Sequence, residues 1–200
     1  MVAIVDYGMG NIRSVLNALE ALGAEGQLVS DASKLDGADR IILPGVGAFR
    51  DGMRHLDERG FTEALPERVR SGTPLLGICL GMQLLGTRGF EHGEHPGLGL
   101  LAGDVLRLDP GSDLRVPHIG WNLVERRGES RLLGDEPDPT FYFVHSFQLH
   151  PDNPDVITGT TPYGFPVTAV IEDEQVLGCQ FHPEKSQHDG LALLRRFLDL

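Results

Sequence analysis

Pro74-Leu75-Leu76-Gly77-Ile78-Cys79-Leu80-Gly81-Met82-Gln83-Leu84-Leu85 runs from a short apolar stretch into the start of a helix through a single cysteine set between two glycines. A strand that turns sharply into a helix pushes the side chain at the turn into the open, and glycines at 77 and 81 remove the Cβ atoms that would collide there. The same turn aims the backbone N–H of Leu80, and the positive end of the new helix, at whatever Cys79 attacks. A thiol so placed is a candidate nucleophile whose proton a helix end and a histidine would help to remove. With 26 glycines in 200 residues, such a five-residue pattern arises around one of two cysteines in about 3% of chains by chance. Its partners elsewhere in the chain therefore decide the reading.

Outward from this turn the chain repeats the strand-then-helix unit. Val2 to Val5 is a short β-rich run ending at Asp6, after which Asn11 is placed to cap a helix with Ile12, Val15, Leu16 and Leu19 on one face. Arg40 to Leu43 leads into the turn Pro44-Gly45-Val46-Gly47, and a helical stretch follows over Phe61 to Arg70. Alternation of this kind predicts an α/β fold built on a doubly wound, mostly parallel sheet, with ligand sites at the carboxyl ends of the strands. Asp6, Gly45 and Cys79 all follow strands and are expected on one rim. After about Glu91, Gly- and Pro-rich loops separate β-like runs at Val105 to Leu108, Phe141 to Gln148, Val167 to Ile171 and Val176 to Phe181. These predict a C-terminal antiparallel extension within a single domain over 1–200. The acidic loop 128–140 is expected to be the most mobile segment, and Gly190 to Leu200 a closing helix with Leu191, Leu194 and Leu198 inward.

Bulk properties narrow the function. The chain is 40% hydrophobic and 23% charged, ordinary for a globular domain, and its net charge of −12 opposes non-specific attraction to nucleic acid or an anionic membrane. No basic region precedes the first apolar run, and the longest apolar stretch, Pro74 to Gly86, is too short to span a bilayer. Two cysteines make no disulfide framework; together these features predict a cytoplasmic protein.

His182-Pro183-Glu184 follows the run Val176 to Phe181, and so is expected on the rim that carries Cys79. Cys79, His182 and Glu184 then have the roles of nucleophile, general base and orienter of the imidazole. Gly45 and Gly47 let the turn after the second strand present N–H groups inward, forming an oxyanion hole with Leu80. Gly8-Met9-Gly10-Asn11-Ile12-Arg13 approaches a dinucleotide fingerprint, but Arg13 stands where the third glycine must allow close packing, which argues against NAD or FAD. Glu91-His92-Gly93-Glu94-His95 has metal-ligand residue types, yet its glycine and the following Pro96 and Gly97 oppose a converging helix. That segment reads as a solvated loop, no metal or cofactor is expected, and Cys179 reads as a core thiol.

Gly77-Ile78-Cys79-Leu80-Gly81-Met82-Gln83 with His182-Pro183-Glu184 resembles the class I (triad) glutamine amidotransferases over essentially the whole chain. Within that group Asp6 to Asn11, Pro44 to Phe49, His118-Ile119-Gly120-Trp121-Asn122 and Tyr142-Phe143-Val144-His145-Ser146 are similar to the glutaminase subunits of imidazole glycerol phosphate synthases. The resemblance implies a flavodoxin-like sheet with helices on both faces and hydrolysis of L-glutamine through a cysteinyl thioester. It also implies delivery of the ammonia to a separate (β/α)₈ cyclase subunit in a heterodimer, which fits the absence of a phosphate-cradling glycine loop. By the family pattern Gly45, Val46, Gly47, Leu80 and Gln83 would surround the glutamine side chain, and His145, Ser146 and Phe147 its α-amino and carboxylate end. Asn11, Trp121, Tyr142 and Lys185 match positions near the cyclase contact, and the 44–47 turn is expected to complete its oxyanion hole only with partner and ribonucleotide bound. The same chemistry serving a pyridoxal phosphate, anthranilate or guanylate synthase, a cysteine hydrolase, and a redox-sensing binding module are the competing readings.

Overall fold

The computed structural model describes every residue except Asp113, Glu136 and Asp138. Its first half is β1 (Val2–Val5), α1 (Ile12–Ala21), β2 (Gly26–Val29), β3 (Arg40–Gly45), α2 (Phe49–Asp57), α3 (Phe61–Arg70), β4 (Leu75–Cys79) and α4 (Leu80–Leu84). Then come β5 (Arg88–Gly89), β6 (His95–Pro96), β7 (Gly103–Arg107), β8 (His118–Leu123), β9 (Glu125–Arg126), β10 (Thr140–His145) and β11 (Phe147–Pro151). The chain ends with β12 (Ile157–Pro162), β13 (Pro166–Asp173), β14 (Val176–Cys179) and α5 (Gln187–Leu198).

Among the described residues an eight-stranded sheet runs β2-β1-β3-β4-β14-β13-β12-β9, parallel from β2 to β14 and antiparallel beyond. Side chains alternate across it with the period of a strand. Ala3, Val5, Ile41, Leu43 and Leu75 meet α2, α3 and α4 on one face, while Val2, Ile4, Ile42, Leu76 and Ile78 meet α1 and α5 on the other. The doubly wound α/β fold expected from the strand–helix alternation is what the chain adopts. No helix among the described residues is long and apolar enough to cross a membrane.

The antiparallel extension differs from expectation in three respects. β14 belongs to the parallel part, with Val176 opposite Leu75 and Cys179 opposite Ile78, because it is buried on both faces like β4 and fits only at the centre of the sheet. The run from Phe141 to Gln148 is two strands broken at Ser146, where β10 leaves its pairing with β8 and β11 joins the small sheet β11-β7-β5-β6. Part of the acidic loop is held down: the Glu172 carboxylate, its side chain only 5% exposed, accepts from the Ser130 and Thr158 hydroxyls and from the backbone N–H groups of Arg131 and Leu132. Glu136 and Asp138 of that loop lie outside the described residues.

Three local differences follow from packing. α2 is a helix beyond the sequence expectation; it buries Phe49, Gly52 and Leu56 at helical spacing, among charged residues that keep its mean hydropathy low. α5 turns Leu193, Leu194 and Phe197 fully inward, leaving Leu191 and Leu198 half-buried. Asn11 stands at the N-cap of α1 without capping it; its Nδ2 lies 3.5 Å from Glu184 Oε1.

α4 lies so close to β3 that a Cβ on Gly81 would stand 1.8 Å from the Leu43 carbonyl oxygen. Backbone cannot yield there as a side chain would, so Gly81→Ala is expected to destabilise the fold by roughly 3 kcal/mol or more, read as a lowered denaturant midpoint.

Candidate active site

Cys79 ends β4 and opens α4 with φ +56° and ψ −112°, a backbone state that L residues rarely hold and that costs on the order of 1–3 kcal/mol. The surroundings enforce it. A Cβ on Gly77 would stand 2.7 Å from the carbonyl oxygen of Gly81 and the backbone nitrogen of Met82, so the turn closes tightly only with glycine on both sides. The thiol lines a cavity of about 440 Å³ at the carboxyl rim of the sheet.

β14 runs parallel to β4, so the chain leaves it on the same rim, and His182 lines the same cavity. A single 3₁₀ turn, Pro183–Lys185, brings Glu184 beneath the ring, with Glu184 Oε1 2.8 Å from His182 Nδ1. Both side chains are almost wholly buried. The carboxylate accepts from Nδ1–H, which leaves Nε2 as the free ring nitrogen; it is buried and has no hydrogen-bond partner among the described residues. Burial alone would lower the pKa of His182, but Cys79 and Glu184 outweigh it and raise the value to about 9. The ring is further fixed by its backbone: His182 N–H donates to the Tyr142 carbonyl, and the Ser186 hydroxyl donates to the His182 carbonyl.

The turn after β3 carries the other expected donors. Gly45, paired in register with Cys79, does not line the cavity; it is covered by α4 and Tyr7, and a Cβ there would lie 2.6 Å from both Gly81 N and Tyr7 Oη. Val46 and Gly47 do line it, and Gly47 holds φ +102°. The Val46 N–H, however, donates to the Met9 carbonyl at 3.2 Å and is not presented to the cavity. Leu80, also lining the cavity, begins α4, whose first N–H groups have no acceptor within the helix.

Gln83, His145, Ser146 and Phe147 complete one wall. The Phe147 carbonyl accepts from His145 Nδ1–H at 2.8 Å and from Gln83 Nε2 at 3.0 Å. His145 Nε2 is then an acceptor, and His118 Nδ1–H donates to it at 3.1 Å. Burial lowers the pKa of His118 to about 4, and burial outweighs the Phe147 carbonyl to bring His145 to about 4, so both are neutral. Lys185, expected near a partner contact, also lines the cavity.

Glu91 was not anticipated here. The solvated-loop reading fails for it, since its Oε2 accepts the Phe49 N–H at 2.8 Å and caps α2, and the side chain lines the cavity. Its distance from Cys79 in the chain follows no helix or strand period, so no local pattern could have flagged it. A carboxylate in this wall suits an ammonium group on a ligand. No cluster of metal-ligating side chains occurs among the described residues. Cys179 is fully buried, and burial first of all keeps its thiol protonated.

Trp121 and Tyr142 sit opposite each other across β8 and β10, edge to face at 6.1 Å. Ile119 (59% exposed), Trp121 (48%) and Leu123 (36%) share the outward face of β8. Val144, two residues from Tyr142 on β10, lines the cavity, so the apolar face and the thiol pocket adjoin.

Residues 3–200 match the family described as glutamine amidotransferase class-I. Imidazole glycerol phosphate synthase subunit HisH of Rhodopirellula baltica is 46% identical over 197 residues, 98% of this chain and 96% of that protein. The protein of the same name from Aquifex aeolicus is 45% identical, over 97% of this chain and 94% of its own. A crystal structure of a glutamine amidotransferase superposes with a TM-score of 0.79 at 25% identity, covering 100% of this chain and 98% of that one. The structure of PurLQS from Thermotoga maritima shares the fold, with a TM-score of 0.78 at 21% identity over 99% and 97% of the two chains.

Three buried imidazoles contribute to the pH response with opposite signs. His118 and His145 bind protons more readily unfolded, so their contribution to stability is present above about 6.5 and is lost as the pH falls toward about 4. His182 has the opposite sign: its contribution is complete below about 6.5 and is lost as the pH rises through about 9. The melting temperature is expected to drop on both sides of neutrality, with His182→Gln lessening the alkaline drop and leaving the acid one unchanged; burial of the Cys179 thiol and the Tyr7 hydroxyl keeps part of the alkaline drop.

Proposed function

The chain belongs to the class-I glutamine amidotransferase family, and we propose that within it this protein is the glutaminase subunit of an imidazole glycerol phosphate synthase. The observation that carries the reading is the convergence of Cys79, His182 and Glu184 on one rim, with His182 Nε2 buried, unpartnered and lining the thiol's cavity. The names of the relatives and the exposed apolar face beside that cavity supply the acceptor.

In this reading all 200 residues form one amidotransferase domain. The Cys79 thiolate attacks the side-chain carbonyl carbon of glutamine while backbone N–H groups hold the oxyanion. His182 gives its proton to the departing nitrogen, ammonia leaves, and a thioester remains. His182 then takes a proton from water as it attacks the thioester, glutamate departs, and the thiolate is restored. Glu184 keeps the imidazole in the tautomer that exposes Nε2. Glu91 receives the α-ammonium group, and Gln83 offers Oε1, since its nitrogen is already committed.

Val46 N–H must leave Met9 before it can serve the oxyanion. We read the 44–47 turn as a two-state gate that favours its closed arrangement in the free subunit and the open one when a (β/α)₈ cyclase and its ribonucleotide are bound. The cyclase would cover Ile119, Trp121, Leu123 and Tyr142, with Asn11 and Lys185 at the margin. Ammonia protonates in bulk water and is then no nucleophile, so a partner sealed over the cavity keeps it reactive. A cytoplasmic heterodimer is the assembly this implies.

Glutamate release, measured for the subunit alone and with the cyclase plus its ribonucleotide, is expected to be slow in the first case and strongly stimulated in the second. Cys79→Ala should abolish both rates, and Glu184→Gln should lower the stimulated rate by about 10²–10⁴-fold without loss of fold. Full activity of the isolated chain would count against the gate. Stimulation by a different synthase alone would reassign the acceptor.

A further inference from the structure

Gln180, the residue after β14, is fully buried and has no place in the scheme above. Its Nε2 lies 4.0 Å from Cys79 Sγ, within reach of the long hydrogen bonds that sulfur accepts. An amide can turn over and present oxygen instead of nitrogen, but here the orientation is fixed from a distance. The Phe147 carbonyl can only accept, so Gln83 must turn its nitrogen toward it. That nitrogen also donates to Gln180 Oε1 at 3.1 Å, which turns the Gln180 nitrogen to the opposite side, where Cys79 stands. We propose that Gln180 is a further functional residue of this site, a buried donor that stabilises the Cys79 thiolate, and that Gln83 is the positioning residue that keeps its amide facing the sulfur. The proposal rests on the reading of Cys79 as the attacking thiol.

A donor on the sulfur favours the charged form, and it opposes the Val144 carbonyl, which at 4.0 Å from the sulfur can accept only from the protonated thiol. The titratable groups about the sulfur are His182 with Glu184 behind it, Tyr7, Cys179, and the cavity-lining His145, Glu91 and Lys185. Of these only Cys179 is changed below, and it is changed equally in the parent and in every variant.

The test is the pH dependence of Cys79 alkylation by iodoacetamide in the full chain, with Cys179→Ala throughout so that one thiol reports. Gln180→Met removes the donor, Gln180→Asn withdraws it by one methylene, and Gln83→Met frees the amide to turn over. Each is expected to move the acid limb of alkylation up by roughly 0.5–1 pH unit, a three- to ten-fold loss of rate at a pH on that limb. Acid limbs that overlay the parent's in any Gln180 variant that melts cooperatively would overturn the proposal. Should neither fold, an unmoved limb in Gln83→Met would do the same. Glutamate release that persists in Cys79→Ala would instead overturn the reading of the nucleophile, independently of where the alkylation limb lies.

Discussion

The parallel pairing of β14 with β4 is the constraint on which the site depends. Two strands that run the same way end on the same rim, so Cys79 at the end of one and His182 just past the other meet although a hundred residues separate them. An antiparallel β14 would carry His182 to the opposite edge. The pairing is fixed by burial: both strands are covered on each face, and Gly178 leaves room for Met82 of α4, whose Cγ would lie 2.7 Å from a Cβ at that position. The excursion from β5 to β13 is the connection that a parallel return requires, and it supplies the rest of the wall.

Within that wall one carbonyl sets the polarity of several side chains. Phe147 begins β11 just past the break at Ser146, and its carbonyl turns inward to accept from His145 and Gln83. From it the tautomers of His145 and His118 and the orientations of the Gln83 and Gln180 amides all follow, since each donor commits the next acceptor. A fully committed network of this kind cannot turn over one amide at a time. The strand break at 146, which periodicity alone could not show, is therefore what orients the site.

The residues proposed as a triad were legible because their signals are local: glycines about a cysteine at a strand–helix junction, and His182 with Glu184 two residues on. The alternation of strand and helix likewise exposed the parallel sheet. α2 escaped because charged residues dilute its apolar ones and one of its buried positions is Gly52, which carries no hydropathic signal yet packs against the methyls of Leu84 and Leu80. Glu91 escaped because its partner is a backbone N–H at Phe49, more than forty residues away. Gly45 looked like a lining residue from its place in the turn, but a turn has two sides, and only the packing of Tyr7 and α4 settles that it faces inward.

Three of the six buried side-chain polar atoms without partners among the described residues lie about the thiol. His182 Nε2, Glu184 Oε2 and Tyr7 Oη are buried and unpaired among the described residues, each at a cost of about 1–3 kcal/mol in a finished core. Cys79 adds backbone strain of similar size. On the proposed gate, the Val46 N–H bond to Met9 is worth about 0.5–1.5 kcal/mol net, and its loss would shift a two-state turn by only about two- to thirteen-fold. A larger stimulation by the cyclase would need more than that bond. It would have to draw on contacts made at Asn11, which touches Glu184 and stands two residues from Met9. The segment from Met9 to Asn11 thus joins the proposed oxyanion turn to Glu184, and the binding energy of the proposed partner is the reserve large enough to move it.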